Sequence, residues 1–268
     1  MPPAYPLSDL ALARRLERCE GKSNASFVDA RARLRPDSGA QWIECAGAYA
    51  MFDGIASPLT QTFGLGLFAT PTTADLETIE RFFEDRGAAV FHEVSPMAPP
   101  ETLELLVARG YRPMELSSVL FQPIEKKTPA ESRVHVRIAS ADEGALWSEV
   151  AAQGWAEFGV GDFMRDVGQV SAASRGTTSF FAEIAGRPIG TGGLNIHDGV
   201  AILAGASTIP DARRQGAQRA LLETRLAYAA DQGCDLAMMA AAPGSASQRN
   251  AERQGFRIAY TRIKWTRR

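Results

Sequence analysis

The chain repeats an ordered set of features, and this repeat limits its possible folds more than any other property of the sequence. Three short motifs recur at offsets of 145 or 146 residues: Asp53-Gly54 with Asp198-Gly199, Asp85-Arg86-Gly87 with Asp231-Gln232-Gly233, and Gly110-Tyr111 with Gly255-Phe256. In both halves the order is a hairpin signal, a helix end, a buried strand that stops at proline, a second helix and an alternating last strand. Matching features in one order indicate a duplicated fold.

The second half predicts a mixed α/β layer fold. Its periodicity indicates a strand at 134–139, helices at 141–157 and 163–173, a hairpin across 178–195, a strand at 200–209 and a helix at 214–231. Ser140 is the expected N-cap of the first of these helices. Strands that alternate with helices, together with antiparallel hairpins, are typical of a mixed sheet covered by helices.

A polar segment divides the two halves. Residues 123–132 contain two prolines and four charged side chains, which favour a solvated linker. We therefore expect one domain over residues 1–122, a linker over 123–132 and a second domain over 133–268.

Composition excludes several classes of function. The 268 residues carry 29 Lys and Arg against 31 Asp and Glu, for a formal net charge of −2, which disfavours a nucleic-acid partner. The three cysteines and three histidines are scattered, so we expect no disulfide framework and no metal site. The start of the chain has no signal-peptide pattern, and no apolar run reaches the roughly 18 residues of a membrane span. These observations favour a cytoplasmic protein with no membrane partner.

The segment 207–222 carries the clearest chemistry. An apolar strand ends at Pro210, a polar turn with one glycine follows, and an amphipathic helix begins. Such a turn presents free backbone N–H groups at a helix N-terminus, where the helix dipole favours an anion. Gly216 permits close approach, and Arg213, Arg214 and Arg219 add positive charge, so a diphosphate is the expected guest. The alternative is an ordinary strand–turn–helix with a solvated basic face.

Residues 213–218, Arg-Arg-Gln-Gly-Ala-Gln, resemble the pyrophosphate loop of the GCN5-related N-acetyltransferases (GNAT), Gln/Arg-x-x-Gly-x-Gly/Ala. The resemblance covers residues 133–268 and departs from the pattern at Gln218. It implies acetyl-CoA, or another acyl-CoA, as co-substrate and no metal. It also implies a set of residues that bind this co-substrate: Thr208, Ile209, Arg213, Arg214, Gln215, Gly216, Ala217, Gln218, Arg219 and Asn250.

The first half has no such loop. Pro71 and Gly87 are 16 positions apart, whereas Pro210 and Gly233 are 23 apart, and residues 72–77 open the first-half helix with hydroxyl and acidic side chains. Acidic groups at a helix N-terminus satisfy its dipole and repel phosphate. The fold expected is thus two tandem GNAT-like domains, of which the N-terminal one is a degenerate copy that shapes the acceptor site or serves structure.

Catalytic residues are harder to assign. Many GNAT enzymes place a proton-donating tyrosine four residues before the Gly-Phe pair, where this chain has Ala251. Tyr260 and His197 are the substitutes, although strand packing would equally explain Tyr260 and a turn position would explain His197. The resemblance implies an acetyl-CoA-dependent N-acetyltransferase that acts on a small amine. The alternatives are a non-catalytic acyl-CoA sensor or scaffold and an acyltransferase that uses a longer acyl donor.

Overall fold

The computed structural model describes residues 5–126 and 132–267. The described residues divide into two compact units: an N-terminal unit of residues 5–122 and 238–267, and a central unit of residues 123–126 and 132–237. The break at 122/123 coincides with the start of the predicted linker, of which residues 127–131 lie outside the described part. The division differs from the predicted second domain, because residues 238–268 belong to the N-terminal unit.

The secondary structure follows the duplicated order. The first half contains α1 (Leu10–Leu34), β1 (Gln41–Cys45), β2 (Ala48–Phe52), β3 (Gln61–Phe63), α2 (Thr73–Glu84), β4 (Phe91–Val94), α3 (Pro100–Ala108) and β5 (Arg112–Pro123). The second half contains β6 (His135–Ile138), α4 (Gly144–Trp155), α5 (Gly161–Ala173), β7 (Thr177–Ile184), β8 (Arg187–His197), β9 (Val200–Thr208), α6 (Ala217–Asp231), β10 (Leu236–Ala241), α7 (Ala246–Arg253) and β11 (Arg257–Thr266). The mixed α/β class predicted from the sequence is confirmed.

The last strand explains the unit boundary. In the N-terminal unit the strand order is β1-β2-β3-β4-β11-β5, so β11 lies between two strands of the first half. Ile263 of β11 is opposite Val94 of β4 on one side and Leu116 of β5 on the other, both in antiparallel register. A strand with partners on both sides is an integral part of its sheet. The C-terminal residues therefore complete the first half.

Helices cover both faces of this sheet, because the side chains that alternate between the two faces of β2 are buried on both. Tyr49 and Met51 pack against Val28 of α1 in one cluster. Ala50 and Phe52 point to the other face, where α2 contributes Leu76 and other buried side chains. Successive side chains of a strand point to opposite faces, so β2 is buried along its whole length. No helix among the described residues is long and apolar enough to cross a membrane.

Tight turns test the repeat directly. Asp198 and Gly199 both have positive φ (51° and 76°), which confirms the predicted turn between β8 and β9. The hairpin signal at Asp53-Gly54 corresponds to the antiparallel pair β2 and β3, but residues 53–60 form a longer loop between them instead of a two-residue turn. Asp53 is buried there in an ion pair with Arg31, at 2.7 Å between Nε and Oδ1. Its carboxylate is thus used in packing α1 rather than in a turn.

The central unit is an antiparallel sheet of order β9-β8-β7-β6 with helices on both faces. Gly190 of β8 faces α6, since a Cβ there would lie 3.7 Å from Leu221 Cδ1. Thr191 points to the other face, where its hydroxyl lies 2.8 Å from Ser207 Oγ. Gly154 of α4 packs directly on Ser207. The small residues on β8 and α4 let both helices approach the sheet closely.

Helix α4 begins later than predicted. Its N-cap is Glu143, which makes no capping hydrogen bond, so Ser140 is not the cap. The Ser140 hydroxyl instead lies within hydrogen-bond distance of Asp142 Oδ1 (2.7 Å) and Glu143 Oε2 (2.9 Å), either of which can accept its proton. Arg137 holds the Glu143 carboxylate in an ion pair (2.6 Å), which keeps residues 140–143 in a turn before the helix.

A buried group of charges lies between α1, β4 and β11 of the N-terminal unit. Arg262 of β11 contacts three carboxylates, at 2.6 Å for Glu20, 2.9 Å for Glu93 and 3.4 Å for Glu17. The Glu17 carboxylate also accepts the Tyr260 hydroxyl at 3.0 Å. Burial, reinforced by the two neighbouring carboxylates and opposed by Arg262, raises the pKa of Glu17 to about 7.

This raised pKa predicts a stability that falls with pH. In the unfolded chain Glu17 ionises near its ordinary value of 4.5, so between that value and about 7 the folded state binds more protons. The contribution is complete at low pH and is lost as pH rises through 7. We expect unfolding free energy to fall by about 1 kcal/mol between pH 6 and pH 8, and the Glu17→Gln variant to lose most of this dependence.

Urea denaturation at the two pH values measures the effect. Glu115→Gln is the matched control, because the Glu115 side chain is about half exposed on β5. Equal pH dependence in wild type and Glu17→Gln would contradict the assignment.

Candidate functional site

The connection between β9 and α6 is a turn with two left-handed residues. A single 3-10 turn covers Pro210–Ala212, and Arg214 and Gly216 then have φ values of +61° and +92°. Helix α6 starts at Ala217 with Gly216 as N-cap, three residues later than predicted. Positive φ is unfavourable for most residues but not for glycine, so Gly216 permits this turn. The helical periodicity over residues 214–231 gave no sign of the turn.

The turn leaves a row of backbone donors unused. Within residues 5–126 and 132–267, the backbone N–H groups from Arg214 to Arg219 donate to no acceptor. A Cβ on Gly216 would meet nothing within 4 Å, so the space before the helix is open. Successive N–H groups that converge at a helix N-terminus bind anions, and the helix dipole adds to the attraction.

The three predicted arginines differ in their surroundings. The Arg213 guanidinium is turned toward α4, where it donates to the Gly154 carbonyl at 3.1 Å and pairs with Glu157. Arg219 pairs with Glu223 one helical turn along, at 2.7 Å. Arg214 is exposed and has no polar partner in the described part of the chain. Surface ion pairs are weak, so Arg219 can leave Glu223 and bind a phosphate instead. Arg214 can bind a phosphate without first breaking an ion pair.

Gln218, which departs from the family pattern, fixes the end of β9. Its Nε2 donates to the Ser207 carbonyl at 2.8 Å and to Thr208 Oγ1 at 2.7 Å. On the other side Ile209 N–H donates to the Ile189 carbonyl at 3.0 Å. The glutamine therefore ties the first turn of α6 to the strand that precedes it.

A bulge interrupts β9 just before this turn, and the sequence reading missed it. Thr191 is opposite Ser207 and Gly193 is opposite Ala204, so the segment 205–206 faces the single residue Gly192. Gly205 has a φ of +62°, and a Cβ there would lie 3.0 Å from the Trp147 ring. Residues 204–206 are exposed. Isolated glycines inside predicted strands, here at 192, 193 and 205, are the signal that indicates a bulge.

The remaining predicted site residues lie elsewhere. His197 ends β8 opposite Val200, eight residues along β9 from Thr208 or roughly 26 Å in an extended strand. Tyr260 and Asn250 belong to the N-terminal unit. Tyr260 is buried with its hydroxyl bound to Glu17, and burial raises the pKa of this hydroxyl well above its ordinary value. Asn250 is exposed on α7.

The corresponding helix of the first half is closed by its own side chains. Thr72 caps α2: its Oγ1 accepts the N–H of Asp75, whose Oδ2 accepts the N–H of Thr72 at 2.8 Å. This reciprocal capping box satisfies donors that α6 leaves open. Backbone hydrogen bonding at the acidic helix start lowers the pKa of Asp75, which keeps a negative charge where an anion would bind.

Comparison with known proteins finds a family match over part of the chain. Residues 147–256, fewer than half of the chain, match the acetyltransferase (GNAT) family model. A GCN5-related N-acetyltransferase from Kribbella flavida has a TM-score of 0.60 at 20% identity, with 90% of this chain and 95% of that one covered. One from Sphaerobacter thermophilus scores 0.51 at 15% identity, covering 98% and 93%.

A tandem GNAT protein from the clavulanic acid biosynthesis pathway has a TM-score of 0.54 at 11% identity, covering 91% of this chain and 94% of that chain. All three structures match the fold over 90% or more of this chain, and one of them is a tandem GNAT protein. No curated protein matches the sequence.

The role of Gln218 can be tested by its removal. Gln218→Ala loses two hydrogen bonds, so we expect a loss of about 1 kcal/mol in unfolding free energy. Faster amide exchange in residues 209–217 should accompany it. Urea denaturation and hydrogen-exchange mass spectrometry measure both effects. Gln215→Ala is the control, because Gln215 makes one long bond, 3.3 Å to the Asp211 carbonyl. An equal effect of the two variants would contradict the assigned role.

Proposed function

We propose that the chain is an acyl-CoA-dependent N-acyltransferase that moves an acetyl group from acetyl-CoA to a small amine. The observation that carries the proposal is the row of unused N–H groups from Arg214 to Arg219 beside the open space at Gly216. A diphosphate fits this arrangement because its oxygens accept several N–H groups at once and its charge complements the helix dipole. Arg214 adds a free positive charge at the rim.

The proposed acyl donor, acetyl-CoA, would lie along β9. With the pyrophosphate at the start of α6, the pantetheine arm would follow Thr208 and Ile209 and reach the bulge at 204–206. A bulge leaves the backbone of its extra residue outside the strand ladder, so we infer that an N–H of residues 204–206 is available to the thioester. A fixed backbone donor that faces a thioester carbonyl stabilises the negative charge that develops on its oxygen.

The reaction balances without a metal. The neutral amine nitrogen attacks the thioester carbon, the C–S bond breaks, and the proton that nitrogen loses ends on sulfur, giving an amide and the free thiol of CoA. The backbone of 204–206 would hold the carbonyl oxygen while the loop 213–219 holds the diphosphate. Neither His197 nor Tyr260 enters this mechanism, because the first ends β8 beside the far end of β9 and the second is bound to Glu17.

We propose further that the first half binds no acyl-CoA and is a degenerate copy. Its helix α2 leaves fewer N–H groups unused than α6 does, since Thr72 and Asp75 cap it reciprocally. Pro71 and Gly87 are only 16 positions apart, against 23 for Pro210 and Gly233, which leaves no room for a phosphate loop before α2. In this proposal the first half supports the acceptor site, and the protein works in the cytoplasm.

A second candidate is a sensor or scaffold that binds acyl-CoA without turnover. The buried Ala251 at the position where many GNAT enzymes have their proton-donating tyrosine favours it. Release of free CoA thiol in the presence of a panel of small amines separates the two: turnover with any amine rejects the sensor. The same assay with acyl chains of increasing length identifies the preferred donor.

The cradle is tested by Gly216→Asp. A carboxylate at this position places negative charge where the diphosphate binds, so we expect the dissociation constant for acetyl-CoA to rise at least about tenfold. Isothermal titration calorimetry measures it. Gly186→Asp is the matched control, because Gly186 in the β7–β8 turn also has positive φ (+76°) and open surroundings. Unchanged affinity in Gly216→Asp would contradict the proposed cradle.

A further inference from the structure

Arg225 is a buried cation in the central unit with no carboxylate partner. It lies in the middle of α6, and 3% of its surface is exposed. Among the described residues no Asp or Glu lies within ion-pair distance of its guanidinium. Burial lowers the pKa of Arg225 to about 10, so the group remains protonated at neutral pH. Buried charges are normally paired, and this one requires another explanation.

Its partners are backbone carbonyls, two of them on the paired residues at one end of the bulge and one on α6. Nη1 donates to the Gly193 carbonyl at 3.1 Å and to the Ala204 carbonyl at 3.3 Å. Gly193 and Ala204 are opposite one another and form the pair at which the β8–β9 register shifts. Nε donates to the Leu221 carbonyl at 3.2 Å, which fixes the guanidinium relative to α6. One side chain therefore ties both strands of the bulge to the helix.

The sheet is shaped to admit this side chain. A Cβ on Gly192, the single residue opposite the bulge, would lie 3.0 Å from Arg225 Cζ. Only glycine leaves room for the guanidinium at that point of β8. The bulge, the glycine and the arginine thus form one arrangement, in which the cation satisfies carbonyls that the interrupted ladder leaves available.

We infer that Arg225 is a positioning residue for acyl transfer, which holds the 204–206 bulge so that its free backbone N–H faces the thioester carbonyl of the bound acyl-CoA. The inference rests on the proposed function. Arg225 itself would not touch the substrate. An apolar side chain of similar size could fill the same volume and would avoid the cost of burying a charge. Packing alone therefore does not explain an arginine here, and we expect its positive charge to matter for the geometry of the bulge.

The carbonyl ¹³C resonance of bound [1-¹³C]acetyl-CoA reads out this geometry without an acceptor amine. A hydrogen bond to the carbonyl oxygen moves this resonance downfield from its position in free acetyl-CoA. In Arg225→Met we expect most of that displacement to disappear while the dissociation constant stays within about threefold, because the diphosphate cradle is separate. Arg225→Lys, which keeps the charge, should recover part of the displacement.

Tyr228→Leu is the matched control. Tyr228 lies one helical turn further along α6 and packs edge-on against Phe180, away from the bulge. This variant should lower the melting temperature and leave the bound resonance unchanged.

Two outcomes overturn the inference: a wild-type resonance in Arg225→Met, or failure of both Arg225 variants to fold, which would make the residue purely structural. If wild type binds no acetyl-CoA, the proposed function fails instead. The backbone resonances of residues 204–206 in the free protein then still report whether Arg225→Met alters the bulge.

Discussion

The start of α6 is the point on which the proposed chemistry of the central unit depends. A helix N-terminus always leaves N–H groups without intrahelical partners, and most helices satisfy them with a side-chain cap. Here the left-handed Arg214 and Gly216 turn the backbone so that these groups are left open, and no side chain caps them. Helix α2 of the first half uses Thr72 and Asp75 for the same need. The same fold is thereby open to an anion in one half and closed in the other.

The bulge in β9 extends the open site along the strand. Gly205 allows the chain to take positive φ beneath Trp147, and Gly192 makes room for Arg225 on the α6 face. A cation buried against backbone carbonyls is an expensive way to stabilise a fold, which is why we relate it to the shape of the bulge. The buried charges of the N-terminal unit have the opposite composition. There a single cation, Arg262, faces three carboxylates and neutralises only part of their charge.

Much of the fold followed from local sequence signals. The helix ends at Gly87 and Gly233 and the turn at Asp198-Gly199 depend on a backbone preference that glycine reveals in the sequence. The Asp53 turn could not be predicted correctly, because its outcome depends on a partner, Arg31, that is distant in sequence. The pairing of β11 with β4 and β5 likewise depends on tertiary contacts. Similarly, the loop motif indicated the backbone cradle, but it gave no indication that Arg213 pairs with Glu157 or that Arg225 reaches the bulge.

The central claim is that the backbone N–H groups of residues 214–219 bind the diphosphate of acyl-CoA. Backbone ¹H–¹⁵N spectra recorded during a titration with acetyl-CoA test it most directly, since each amide of the loop is observed separately. We expect the amides of Arg214 to Arg219 to show the largest downfield proton shifts and to become protected from exchange at saturation. Saturable binding that leaves these six resonances and their exchange rates unchanged would contradict it.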